Sequence, residues 1–383
     1  MSFNEVYINS TASYFPNDPV SNDEMEEYLG LINKNPSKSK RIVLRNNGIK
    51  RRFYALDKNG KPTHTNAQMT AMAVRRLFNN DAEQLKSIEL LACGTSSPDQ
   101  MMPSHGVMVH GELPETRAIE VVSPAGVCCA GMHAFKYAFM AIKTGDVHRA
   151  VATGSERFSG SLRATVFEDE AQKLKQLEEN PYIGFEKEFL RWMLSDGAGA
   201  WVLSNHPREE NPSLRIDWLD IVSYAHEAES CMYYGAVKKK DGSLTGFRLC
   251  DDPETLIKEG YLSLRQDVDV LRKNLPPMTR RACLRACQRH QLTADKVDWF
   301  LPHYSSEGFR QPLYDGMLDA GFVIPKEKWF TNLTWKGNTG SASIYIILEE
   351  LVSSGRAKRG DRVLCFVPES SRFSFALLHL TVV

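Results

Sequence analysis

Two adjacent cysteines stand in SPAGVCCAGMHAF, residues 123–135. Small residues on both sides mark a tight strand-to-helix turn, where the backbone is crowded. A thiol at such a turn faces the positive end of a helix dipole, which is expected to lower its pKa. A thiolate accepts an acyl group from a thioester, and the turn's backbone N–H groups can hold the oxyanion that forms. Cys129, next to the helix, is the expected nucleophile and Cys128 its packing neighbour. Most cysteines are simply small apolar residues of the core. The turn sets Cys129 apart.

A second cluster is LPHYSSEGF, 301–309. His303 follows an apolar strand, at the end where α/β sheets meet their ligands. It could serve as a base or as a hydrogen-bond donor to a thioester carbonyl. The third is WKGNTGSASIYIILEEL, 335–351, with Asn338 ahead of a helix. Alone, that Asn would pass for an ordinary helix cap. Glu156 in TGSERFS either reaches the site or pairs with a neighbouring Arg. Cys283, Cys287 and His290 share a helical face but lack a fourth ligand, so no metal is expected. Asp196–Ala200 is Gly-rich without the Lys-Ser/Thr of a phosphate loop, and reads as close packing at a strand. Lys238-Lys239-Lys240 reads as a solvated loop, or more sharply as a contact for a CoA phosphate or an acidic carrier protein.

The elements that must position these groups alternate. Strands are expected at 5–12, 88–93, 118–122, 148–153, 197–203, 214–224, 297–301, 362–367 and 373–382. Helices are expected at 66–78, 131–144, 253–290, 308–321 and 341–353. The charged run 165–194 looks like an excursion from the core. This alternation implies an α/β architecture. A repeat refines it. Ser96-Ser97 and Ser305-Ser306 coincide at an offset of 305 − 96 = 209, which carries Cys129 onto residue 129 + 209 = 338, Asn338. Gly145-Asp146 and Gly360-Asp361 each precede a strand. Two halves, 1–210 and 211–383, are therefore expected to face each other across a pseudo-twofold axis, with a helical insertion at about 160–194 in the first.

The 383 residues hold 47 Lys+Arg against 47 Asp+Glu, so the net charge is zero and non-specific nucleic-acid binding lacks its driving force. With 42% hydrophobic and 25% charged residues, the composition is globular, not disordered. No apolar run reaches a membrane span, and MSFNEVYINSTASYFP lacks a leader's basic and apolar regions. The 8 cysteines are scattered along a long chain, which favours free thiols. A cytoplasmic setting without nucleic-acid or membrane partners is expected.

Taken in order, the motifs resemble the thiolase superfamily, most closely its β-ketoacyl-[acyl-carrier-protein] synthase III branch. GIKRRFYA (48–55), CGTSSPDQMMPSH (93–105), CCAGM, SDGAGAWVL (195–203), PHYSS and GNTGSAS are similar to that family's segments. The resemblance implies a five-layered α/β/α/β/α duplicated fold, a homodimer and no cofactor. It implies that Cys129 is acylated by a CoA or carrier-protein thioester. His303 and Asn338 would then bind the second thioester and stabilise its enolate for a Claisen condensation. Ser305 and Ser371 are secondary candidates beside Glu156. One departure stands out: PESSRFSF (368–375) replaces the family's Gly-Gly-Gly-Phe loop, which normally helps the oxyanion hole. The Cys-to-His separation, 303 − 129 = 174 residues, is also long, with the extra length placed at 160–192 and 226–275. The chain is similar to ketosynthase/cyclases that make dialkylcyclohexanediones from a β-ketoacyl and a second acyl thioester. Ester or amide formation, decarboxylating use of a malonyl thioester, and a non-catalytic scaffold are the alternatives.

Overall fold

The computed structural model describes residues 3–166, 188–209, 212–250 and 252–383. Nine strands form one mixed sheet among the described residues. They are β1 (Tyr7–Tyr14), β2 (Leu90–Thr95), β3 (Glu120–Val122), β4 (Arg149–Glu156), β5 (Gly197–Ser204), β6 (Leu214–Ser223), β7 (Trp299–Pro302), β8 (Arg362–Glu369) and β9 (Ser374–Val382). Their order across the sheet is β7-β8-β9-β6-β1-β5-β4-β2-β3. Counted within each half among the described residues, this is 3-2-4-5-1 for the first half and 2-3-4-1 for the second, the same order with the edge strand missing. Directions repeat as well. β2 is parallel to β4 as β7 is to β8, and β4–β5 and β8–β9 are antiparallel. The halves join where Tyr7 and Ile8 pair with Arg215 and Leu214.

Six helices matter for the site: α1 (Asn66–Leu77), α2 (His105–Gly111), α3 (Ala130–Thr144), α4 (Val268–His290), α5 (Arg310–Asp319) and α6 (Ser343–Ser353). The side-chain period of two sorts each strand between layers. Leu91 and Cys93 of β2 pack with Met69 of α1 and Val109 of α2 in one outer cluster. Leu90 and Ala92 pack the other way, with Phe135 of α3, Ile344 of α6 and Val363 and Cys365 of β8. Leu364 and Phe366 of β8 face a third cluster with Leu271 of α4 and Leu313 of α5. Helices, the strands of one half, central helices, the strands of the other half and helices give the five layers, and α3 and α6 form the middle one.

Local chemistry explains the helix ends. Thr65 and Gln68 form a capping box at the start of α1, and Gly145 ends α3 at φ +80°. The expected helix over 253–290 is two helices instead. Pro253–Lys258 ends, and α4 begins only after Asp267, whose side chain caps Val270. A short strand, Arg265–Gln266, pairs with Met232–Tyr233 between them. The excursion expected at 165–194 falls largely on 167–187, outside the described residues. Its far flank is core: Phe189, Leu190, Trp192, Met193 and Leu194 are all buried. The offset also drifts. It is 299 − 90 = 209 at β2 and β7, but 362 − 149 = 213 at β4 and β8, so four extra residues lie between those strands in the second half.

Candidate active site

Four strand ends meet at the central layer. Trp299 and Leu301 of β7 face α3 and α6, so the period of two turns His303 the same way. Val363, Cys365 and Val367 of β8 do likewise and bring Glu369 into line. Ala150 and Ala152 of β4 set Gly154 and Glu156 on that face, and Leu90 and Ala92 of β2 set Gly94 there.

Cys129 occupies the N-cap position of the 15-residue α3 and is fully buried. Gly94 lets the turn come close, since a Cβ there would lie 2.2 Å from the Ala130 carbonyl oxygen. The Cys129 Sγ is 3.5 Å from the Val367 carbonyl oxygen, and the His303 N–H donates to the Phe366 carbonyl at 2.8 Å. Consecutive residues of β8 thus hold nucleophile and histidine. Asn338 belongs, like His303, to the second half. Its N–H donates to Met193 O at 3.1 Å, and its carbonyl accepts the Ser195 N–H at 2.9 Å. Its Oδ1 accepts the Gly340 N–H at 3.0 Å, which leaves the NH₂ end of the amide for a ligand. Gly131 and Gly154 pack on the Ser341 carbonyl, three residues further on. Neighbouring residues of β8 thus hold Cys129 and His303, and Asn338 lies three residues before Ser341, which packs on Gly131 of α3.

Electrostatics differ from the expectation in one respect. The Cys129 thiol is held well above its ordinary pKa, first by burial and then by the Glu369 carboxylate and Cys128. The helix dipole does not prevail, because full desolvation of a thiolate outweighs it and a carboxylate already sits at the helix start. Glu369 is a residue the sequence reading missed. Its Oε2 accepts the Cys129 N–H at 2.9 Å and the Val127 N–H at 3.1 Å. Ser371, a secondary candidate, donates its hydroxyl to the other oxygen at 2.8 Å. The one available signal was the loss of the Gly-rich loop, which put a charged side chain where glycines were expected. Residues 370–373 turn the chain between β8 and β9, and Phe373 takes the left-handed φ of 60° there.

His303 is buried and pushed down to about 4 by desolvation, so its imidazole is neutral near pH 7. Glu156 is fully buried and joins the halves. It accepts the Ser96 N–H at 3.1 Å, the Ser97 hydroxyl at 2.5 Å and the Ser341 N–H at 3.2 Å. It has no Arg partner among the described residues, and burial raises its pKa. Its mate by offset is Glu369, since 156 + 213 = 369. Each carboxylate caps the opposite half's helix start, which makes Ser341 and not Asn338 the hydrogen-bonding mate of Cys129. Ser305 is half-buried past His303, with no hydrogen bond to the Cys129 turn among the described residues.

A cavity of about 660 Å³ opens beside the turn, lined by Gly126, Val127, Arg157, Tyr233, Phe247 and Leu264 among others. Much of its wall comes from 232–264, within the segment expected to carry extra length. Lys238 is paired with Glu229 at 2.8 Å and Asp267 at 3.1 Å, and so is committed to the fold. Among the described residues, no three His, Cys, Asp or Glu side chains are placed to hold a metal ion, and no helix is long and apolar enough to cross a membrane. His290 instead stacks on Trp218, ring centroids 4.1 Å apart.

Comparison with known proteins fits this geometry. Residues 287–367 match the family described as the C-terminal part of 3-oxoacyl-[acyl-carrier-protein] synthase III. A β-ketoacyl-[acyl-carrier-protein] synthase III from Hyphomonas neptunium is 25% identical over 358 residues, 94% of this chain and 93% of the relative. Among solved structures, the tetronic acid condensing enzyme AbyA1 superposes with a TM-score of 0.75 at 18% identity, over 98% of this chain and 99% of that one. Xanthomonas campestris OleA, solved with lauric acid and lauroyl-CoA, gives 0.73 at 18% over 98% and 99%. The 3-oxoacyl-[acyl-carrier-protein] synthase III of Aquifex aeolicus gives 0.68 at 21% over 98% and 99%.

Proposed function

We propose that this chain, which is similar to β-ketoacyl-[acyl-carrier-protein] synthase III enzymes, joins two thioester-bound acyl groups with Cys129 as nucleophile. Cys129 takes the first acyl group from a CoA or carrier-protein thioester. The Asn338 amide and the neutral His303 imidazole hold the carbonyl of the second and stabilise its enolate. The enolate carbon attacks the acyl carbon and the Cys129 thiolate leaves. One observation carries this reading: two backbone N–H groups converge on a single oxygen position at the turn that bears a buried thiol. Their 2.9 and 3.1 Å distances are those of an oxyanion hole.

The cavity supports an acyl substrate with a long apolar chain, in keeping with the lauroyl-CoA bound to OleA. Arg157 is the one cation among its lining residues. Its buried Nε has no acceptor among the described residues, and its nearest carboxylate, Asp99, is 4.0 Å away. A keto oxygen near the thioester would give the accessible end of this guanidinium an acceptor, which favours a β-ketoacyl substrate. Ring closure of the condensed product to a dialkylcyclohexanedione is part of the proposal, as are a homodimer and a cytoplasmic setting.

Incubation with an acyl-CoA, followed by intact-mass and peptide analysis, is expected to show an acyl adduct on Cys129 that Cys129→Ala abolishes. An adduct on Cys128, or none with any thioester, would sink the assignment. Products from paired β-ketoacyl and acyl thioesters then separate the outcomes. A new carbon–carbon bond supports condensation. An O- or N-acyl product would mean ester or amide formation, and CO₂ release from a malonyl thioester would mean decarboxylating synthesis.

A further inference from the structure

The oxyanion position beside Cys129 is filled by the chain itself. Glu369 ends β8 on the face that looks at α3, and one of its oxygens takes both converging N–H groups. The other takes the Ser371 hydroxyl. A thioester carbonyl cannot enter that cradle while the carboxylate is there. Acylation must displace it, and the displaced group stays within one side-chain length of the acylated sulfur. The displaced carboxylate also gives up both N–H donors, which leaves its Oε2 without those partners. His303 is poorly suited to accept a proton, since burial holds it neutral and weakly basic.

The pseudo-symmetric mate shows what a purely structural glutamate looks like here. Glu156 has no exposed surface and accepts donors from the Ser96, Ser97 and Ser341 segments. At the helix start that it caps, the Ser341 hydroxyl is already committed to the Gly94 and Ser155 carbonyls. Glu369 caps the start that carries Cys129, and it keeps 9% of its surface exposed.

We propose that Glu369 is a catalytic base that rests in the oxyanion hole and, once the acyl group displaces it, takes the α-proton of the second thioester. The inference rests on the condensing reading above. In the step, the α C–H bond of the second thioester breaks and its proton passes to the Glu369 carboxylate. The enolate carbon bonds to the acyl carbon, the bond from that carbon to the Cys129 sulfur breaks, and the thiolate recovers the proton from Glu369. No CO₂ is released and no further reactant is consumed. The substrate class is therefore an ordinary acyl or β-ketoacyl thioester with an α-hydrogen and no α-carboxylate, not a malonyl thioester.

The test compares wild type, Glu369→Gln and Glu369→Asp, all with full-length protein. Gln keeps the shape and an acceptor oxygen in the cradle but cannot take a proton. Glu369→Gln is expected to form the Cys129 adduct at wild-type stoichiometry and to lose condensation by about 10²-fold or more, the usual scale of a general base. Glu369→Asp is expected to fall between the two. Iodoacetamide should label Cys129 faster in Glu369→Gln than in wild type, because a negative neighbour is gone. Condensation by Glu369→Gln within threefold of wild type overturns the base role. So does loss of both acylation and condensation in both variants, which would assign Glu369 to building the turn. Absence of any adduct in wild type would instead strike the condensing reading itself.

Discussion

Single side chains decide when this site becomes reactive. The Cys129 thiol is fully buried and sits beside a carboxylate, and both hold its proton in place. In the resting enzyme, iodoacetamide is expected to reach the half-buried Cys250 before Cys129 at pH 7. Labelling of Cys129 should rise steadily with pH past 9, as followed by peptide mapping. Rapid labelling at pH 7 would mean that the thiolate is already present. Arg157 decides a different question. Arg157→Ala is expected to raise KM for a β-ketoacyl thioester by roughly tenfold, the ~1.5 kcal/mol of a charge-assisted hydrogen bond. The KM for a plain acyl thioester should change little. Equal losses for the two substrates would place Arg157 in packing and not in recognition.

At the scale of elements, the site depends on how closely two helix starts approach two strands. A Cβ at Gly154 would lie 2.2 Å from the Ser341 carbonyl oxygen, which is backbone and cannot swing aside. Gly154→Ala is expected to cost ~3 kcal/mol, the upper range for overpacking, and to push the Asn338 loop away from Cys129. Urea titration and condensation assays on the same protein check both effects; unchanged stability would show that the layers can part without penalty. Much of this scale was legible in the sequence. The paired Ser-Ser loops, the small-residue turn at 123–135 and the Gly/Thr/Ser turn at Asn338 carry local signals of spacing and residue type. What escaped was tertiary. Glu369 reads as a loop residue until the β8 register turns it inward. The mate of Cys129 shifted to Ser341 because four extra residues accumulate between β7 and β8. The 253–290 stretch read as one helix because helical periodicity alone does not show the break that a two-residue strand makes against Met232–Tyr233.

For the whole molecule, zero net charge leaves pH dependence to a few buried groups. His303 and His105 are both pushed down from 6.5 to about 4 by burial. Between those values the unfolded chain binds protons that the folded chain refuses. Stability is therefore expected to fall as pH drops from 6.5 toward 4, by roughly 3 kcal/mol per histidine at the lower end. Buried Glu156 and Asp196 act in the opposite sense. Their raised pKa values let the folded state take up protons first, which offsets part of the loss. His105 gives the cleaner test. It lies outside the Cys129 turn, where its Nε2 meets the Ser155 hydroxyl at 3.0 Å and its Nδ1 has no partner among the described residues. His105→Gln keeps a polar contact and removes the titration. Denaturant titrations at pH 7 and pH 5 are expected to show a smaller stability loss in His105→Gln than in wild type, by about half. An equal loss in both would mean that other groups drive the acid response, and that His105 is not held neutral by the fold.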